Sequence, residues 1–166
     1  MAELFNLYPD EDKFIYLDPD TYVYSPLTEL VEALDSHEIV LTPHLTTPET
    51  DMTAISDNEI CALRHGAFNL GFLALSRGKE STKFANWWAH RLTHFCFADY
   101  ERGLFTDQKR IDLAPCFFDV HVLKHEGYNV APWNLSTRTI NKDSSGEINS
   151  NDSALRFFHY TGMDSG

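Results

Sequence analysis

The run Lys13-Phe14-Ile15-Tyr16-Leu17 stops abruptly at Asp18-Pro19-Asp20, after which Thr21-Tyr22-Val23 resumes a strand-forming pattern. A short apolar run rich in aromatic and branched residues and closed by turn formers reads as a strand. Here that strand carries two carboxylates at its carboxyl end, the end at which an open α/β sheet binds ligands. Paired aspartates give a hard, oxygen-rich site suited to Mg²⁺ or Mn²⁺, usually shared with a phosphate-bearing ligand. Pro19 fixes φ and stiffens the turn between them. The same residues also read as a plain strand followed by an Asp-Pro-Asp turn; this segment alone leaves both readings open.

The rest of the chain alternates between the two periodicities. Ala2 to Tyr8 is a short helical turn. Ser25-Pro26 followed by Leu27, Leu30, Val31 and Leu34 predicts a helix with Ser25 as N-cap and Pro26 in its first turn. A short strand is expected over Glu38–Thr42, a loop over Leu45–Asp57 and a short helix over Asn58–Arg64. Ala67–Leu75 predicts a strand containing Gly71, a mark of a bulge or of close approach by another group. Ser81–Phe97 predicts a helix, with Phe84, Trp87, Trp88, Leu92 and Phe95 on one stripe. Another helix start is expected at Thr106-Asp107-Gln108. Short strands follow at Asp119–Leu123 and Tyr128–Ala131, then a polar loop over Ile140–Ser153 and a last strand over Ala154–Tyr160. Strands alternating with helices predict an α/β fold, a mixed sheet flanked by helices, in one domain over residues 1–166.

Composition limits the ligands. Formal net charge is −12, which excludes non-specific nucleic-acid binding and disfavours anionic membrane surfaces. An anionic ligand would need a cation between itself and the carboxylates, which agrees with the Asp pair. Cys61, Cys96 and Cys116 are odd in number and widely spaced, so neither a disulfide framework nor a zinc knuckle is expected. With no signal-like N-terminus and no long apolar run, a cytoplasmic protein is expected. His90 and His94 lie four apart on the predicted helix but lack the acidic neighbour of a zinc motif.

Five segments in order resemble one family: Phe14 to Asp20, Phe68-Asn69-Leu70-Gly71-Phe72, Thr106-Asp107-Gln108, Trp133-Asn134-Leu135, and Arg156-Phe157-Phe158-His159-Tyr160-Thr161-Gly162. Together they resemble nucleotide-sugar glycosyltransferases of the A-type fold, closest to the family 8 retaining enzymes and their bacterial relatives. The resemblance implies that Asp18, Asp20 and His159 hold Mn²⁺ or Mg²⁺, with Asp18 also reaching the donor. It implies that Asn69 and Gly71 lie beside the donor sugar and that Asp107 and Gln108 face the reacting centre. It implies substrate contacts from Trp133 and Asn134, although Trp133 also reads as core. The donor implied by the resemblance is a nucleotide sugar, a UDP-sugar first among them, and the acceptor a carbohydrate or lipid-linked hydroxyl.

The chain departs from the pattern in two places. It begins just before the Asp-x-Asp strand, without the upstream units that cradle the base, so a truncated fold is expected whose N-terminal sheet edge is covered by a partner chain or a second copy. After His159 it lacks the Lys that contacts phosphate, which leaves Arg64, Arg110, Arg138 and Arg156 as candidate counter-charges. Two further readings compete: an incomplete domain that binds carbohydrate or a partner without turnover, and a phosphatase of the haloacid dehalogenase type. The phosphatase motif wants Thr or Val where this chain has Tyr22.

Overall fold

The computed structural model describes residues 1–162; the segment 163–166, where the phosphate-contacting Lys is missing, lies outside the described residues. The elements in order are α1 (Ala2–Leu7), β1 (Lys13–Leu17), β2 (Thr21–Val23), α2 (Thr28–Ser36), β3 (Ile39–Leu41), α3 (Met52–Ala54), α4 (Ile60–His65), β4 (Phe72–Ser76), α5 (Lys79–Phe95), α6 (Ala114–Phe117), β5 (His121–Val122), β6 (Ile140–Lys142), β7 (Ile148–Ser150), β8 (Ser153–Ala154) and β9 (Phe157–His159). The main sheet has order β1-β4-β3-β5. Its first two pairings are antiparallel and the β3–β5 pairing is parallel, so the expected α/β class with a mixed sheet is what forms. No helix among the described residues is long and apolar enough to cross a membrane.

Strand alternation divides the core between the two faces of this sheet. Phe14, Ile39, Leu41, Leu73 and Leu75 point to one side and pack with Phe84 and Ala85 of α5. Val40, Phe72 and Ala74 point to the other side and meet Leu30 and Leu34 of α2. Both α2 leucines are essentially fully buried, each worth about 1.5–3 kcal/mol relative to exposure. The sheet is thus the middle layer between α2 and α5. α5 starts where the carboxylate of Glu38 accepts the backbone N–H of Ser81 at 2.9 Å, an anion at the positive end of the helix dipole. Arg77 ties α1 to the sheet by donating to the carbonyls of Phe5, Tyr8 and Glu11.

Several local expectations are corrected. Ser25 does not cap α2; the helix begins at Thr28 with Leu27 at the cap position. The Ser25 hydroxyl instead donates to Leu155 O and accepts from Arg156, whose guanidinium also holds Glu29 of α2. Helix forms earlier than predicted in the 45–57 segment, because the Asp51 carboxylate accepts from the N–H groups of Thr53 and Ala54 and starts α3. A π turn over Ile55–Glu59 carries the helix on into α4. β4 is ordered as strand only from Phe72, and Tyr128–Ala131 contributes a single bridge, Val130 to Phe158, rather than a strand. The segment expected as a polar loop folds as the antiparallel meander β6-β7-β8.

Candidate metal centre

Three chain segments meet at the end of β1. The N–H of Asp18 donates to Gly71 O at 2.9 Å, continuing the β1–β4 ladder one step beyond the strand. β2 pairs with β9 in the register Thr21 to His159, and the N–H of Tyr160 donates to Asp20 O. Asp18, Asp20 and His159, 141 residues apart at the extremes, are thereby gathered with one ligand atom from each within 4.8 Å of the others. His159 Nε2 lies 3.1 Å from Asp20 Oδ1 and 3.8 Å from Asp18 Oδ2. An imidazole lone pair facing carboxylate oxygens at those distances is repulsive unless a proton or a metal ion lies among them. Two carboxylates and one imidazole suit Mn²⁺ better than Mg²⁺, which prefers an all-oxygen shell.

Gly71 makes room for this arrangement. A Cβ at that position would lie 2.3 Å from His159 Cε1 and 2.9 Å from Asn69 Oδ1. The open space beside the strand is therefore filled by the His159 ring. Trp133 packs edge-on against His159 and His44, with centroids 5.4 and 5.2 Å away. Tyr16, on the same face of β1 as Asp18, donates its hydroxyl to Asp18 Oδ1 at 2.6 Å. That bond to a carboxylate pushes the phenol up to about 12, so the hydroxyl keeps its proton and fixes one Asp18 oxygen while the other faces His159.

Beside the triad opens a cavity of about 490 Å³, within the range of small-molecule sites. Asp18, Asn69, Gly71, Trp133 and His159 form its inner wall, and Asp107 and Gln108 one side. The far wall is a stripe of Asn58, Cys61 and His65 along the helical run ending in α4, with Phe105 beside it. The Asp107 carboxylate makes no hydrogen bond among the described residues, whereas its carbonyl accepts from the indole N–H of Trp88. Thr106 precedes it at φ 44, a left-handed conformation that strains a β-branched residue and sets the direction of the two side chains that follow.

Other candidates have different surroundings. The Asn69 side chain is buried, with Oδ1 facing His159 Nδ1 at 3.2 Å and Nδ2 facing His44 and Gln108. Gln108 bridges backbone groups, accepting from Leu70 N–H and donating to His65 O. Asn134 is fully buried and does not line the cavity; Oδ1 accepts from Ala131 N–H, and Nδ2 donates to His44 O and Asn129 O. Its geometry is that of a loop-organising residue, a correction to the expected substrate contact. Arg156 is committed to Glu29, and buried Arg138 to Tyr128 O and Thr46. Arg64 and Arg110 lie over the Tyr100 and Phe95 rings. No Lys or Arg lines the cavity among the described residues.

Three residues of this site were not singled out from sequence: Tyr16, His44 and His65. Tyr16 carried a readable signal, since residues two apart on a strand share a face. The Asn58-Cys61-His65 stripe obeys helical spacing and begins on the helix expected over Asn58–Arg64, which runs one residue further, to His65. His44 had no signal of its own.

No protein-family model matches this chain, and no solved structure matches it. Among curated proteins it is similar to the uncharacterized protein YfnD of Bacillus subtilis, at 27% identity over 157 residues. That match covers 93% of this chain and 48% of YfnD, so the chain spans about half the length of that relative.

Proposed function

We propose that this chain is a metal-dependent glycosyltransferase domain of the A-type fold, moving a sugar from a nucleotide donor to a hydroxyl acceptor with retention of configuration. The observation that carries the reading is the convergence of Asp18, Asp20 and His159, from sequence-distant strands, on one point at the wall of the cavity. Asp18 and Asp107 line the cavity and no Lys or Arg does so among the described residues, so a cation would be the counter-charge for an entering diphosphate. A divalent ion held there would stabilise charge on the departing diphosphate. Asp107, whose carboxylate makes no hydrogen bond among the described residues, is the residue assigned to the positive charge that develops at the anomeric carbon. A UDP-sugar donor, a carbohydrate or lipid-linked acceptor and a cytoplasmic setting belong to the same reading, and rest on the motif resemblance. So does a partner chain or second copy along β1, which has no strand on its outer side among the described residues; light scattering of the purified chain checks it.

The test is thermal unfolding with UDP-, GDP- and dTDP-sugars, each with and without Mn²⁺. A donor at about 100 times its dissociation constant stabilises by roughly 2.7 kcal/mol. The expected result is stabilisation by one nucleotide class that needs Mn²⁺, disappears in Asp20→Asn, and is accompanied by release of the nucleoside diphosphate when acceptor is added. Stabilisation that ignores the metal or survives Asp20→Asn would remove the assignment.

A further inference from the structure

The polar groups on the cavity wall decide what kind of ligand it can hold. Three primary amides line it, those of Asn58, Asn69 and Gln108, and each has its NH₂ committed to protein. Asn69 Nδ2 faces His44 and Gln108, Gln108 Nε2 donates to His65 O, and Asn58 Nδ2 donates to Glu49 Oε1 at 2.7 Å and Ser136 Oγ at 3.2 Å. Two of the amide oxygens are also used, that of Asn69 by His159 and that of Gln108 by the Leu70 N–H. Asn58 differs. It sits in the π turn Ile55–Glu59, a local widening of the helix of a kind that recurs at functional sites. Glu49 is buried, and its carboxylate accepts from the Asn58 NH₂ and so fixes which way that amide turns. Asn58 Oδ1 is left as an acceptor without a partner among the described residues. The Asp107 carboxylate is another, while Thr106 and Thr161 add hydroxyls that either donate or accept. A ligand that satisfies this wall brings hydrogen-bond donors.

The far wall also holds an aromatic ring fixed in place. Phe105 stacks on Tyr100 with centroids 5.8 Å and planes 19° apart, and His65 meets it edge-on at 4.5 Å. The turn behind it is closed by Asp99 and Leu104, which exchange backbone hydrogen bonds at 2.9 and 2.8 Å, with Gly103 at φ 67. A ring held this way has little freedom left to lose when a ligand covers it. A pyranose has the matching anatomy, with C–H groups on its faces for an aromatic ring and donor hydroxyls around its rim. An alkyl chain would strip water from Asn58 Oδ1 and Asp107 and offer them nothing, a penalty charged in full to the apolar ligand. We infer that Asn58 and Phe105 form a subsite for a neutral pyranose, its ring on Phe105 and a hydroxyl donated to Asn58 Oδ1, so that the group receiving the transfer is a sugar hydroxyl. The role as acceptor rests on the transferase reading; the class of ligand follows from the lining alone.

The experiment is saturation-transfer difference NMR on the wild type, Phe105→Leu and Asn58→Ala, with and without Mn²⁺ and UDP. The probes are free glucose, galactose, mannose and N-acetylglucosamine, with choline and n-butanol as ligands of other classes. At least one sugar is expected to contact the wild type, with the strongest transfer at its ring C–H groups. Binding should weaken about tenfold in Phe105→Leu, which loses the stacking face, and several-fold in Asn58→Ala, which loses one neutral hydrogen bond. Mn²⁺ affinity in calorimetry should stay at the wild-type value in both. Phe105→Leu leaves Glu49 its partners, so it decides the matter even if Asn58→Ala does not fold. No sugar contact under any condition overturns the inference, and so does equal contact in the wild type and Phe105→Leu, or a preference for choline or butanol over every sugar. If the sugars behave as expected in a chain that takes up neither Mn²⁺ nor UDP, the pyranose subsite stands and the transferase reading fails.

Discussion

At Gly71 the requirement is for space. Gly71→Ala would set a methyl 2.3 Å from the His159 ring, and neither the β4 ladder nor the Trp133 packing leaves the ring an easy retreat. The expected outcome is a folded protein, destabilised by about 1–3 kcal/mol as for other overpacked sites, with Mn²⁺ binding abolished in calorimetry. Tyr16→Phe is a milder change: it removes one donor to Asp18 and should weaken Mn²⁺ several-fold, within the range known for ligand-orienting partners, with little effect on unfolding. That Asp18, Asp20 and His159 come together was expected from the ordered motifs taken as a set, since the Asp-Pro-Asp segment by itself reads equally well as a turn. Asn69 and Gly71 were legible as special positions, but not in their surroundings, since their geometry depends on where a residue ninety positions later places its ring. His44 was illegible for the same reason: everything that defines it is a contact with distant segments.

Helices and strands differed in how clearly they showed. α5 and β1 were plain because each buries one face and the burial imprints a period. The β6-β7-β8 meander was missed because all three residues of β6 are exposed, so no alternation marks it. What orders it is turn chemistry: Asp143 accepts from the N–H groups of Ser145 and Glu147, and Gly146 takes φ 93. Gly146→Val places a β-branched residue where L-residues are disfavoured by about 1–2 kcal/mol. Amide exchange over residues 140–150 should then quicken roughly tenfold, while β4 and α5 keep their protection. Equal loss of protection in β4 would mean that the meander is part of the central cooperative unit. α2 gave the opposite lesson: its apolar period was legible, but its start was displaced. Arg156, arriving from the far end of the chain, engages both Ser25 and Glu29 and so draws the expected cap away.

For the molecule as a whole, the acidic composition hides a dependence on pH that comes from a histidine. Burial pushes the His44 imidazole down to about 4; bonds around Ala67 and Gly66 and the nearby Asp112 charge oppose the shift without reversing it, and His159 adds to it. Above its ordinary value of 6.5 the ring is neutral in both folded and unfolded chains, and pH has no leverage through it. Between 6.5 and about 4 the unfolded chain takes up a proton that the folded chain refuses, so stability falls as the solution is acidified. Across that window the loss amounts to on the order of 3 kcal/mol, a large share of the total for a domain of this size. His121 and His125 are also lowered by burial and add in the same direction. The carboxylates, with a net charge of −12, complicate any single-protein titration, because their mutual repulsion relaxes as they protonate. Comparison with a variant isolates the histidine: His44→Phe keeps a ring in the pocket and cannot take up a proton. Denaturant unfolding of the metal-free wild type and His44→Phe at a series of pH values from about 7.5 to 4.5 should show the wild type losing stability more steeply as pH falls below about 6.5. Parallel curves would mean that His44 is protonated as readily folded as unfolded, and that its surroundings are wetter than the packing of Trp133 against it indicates.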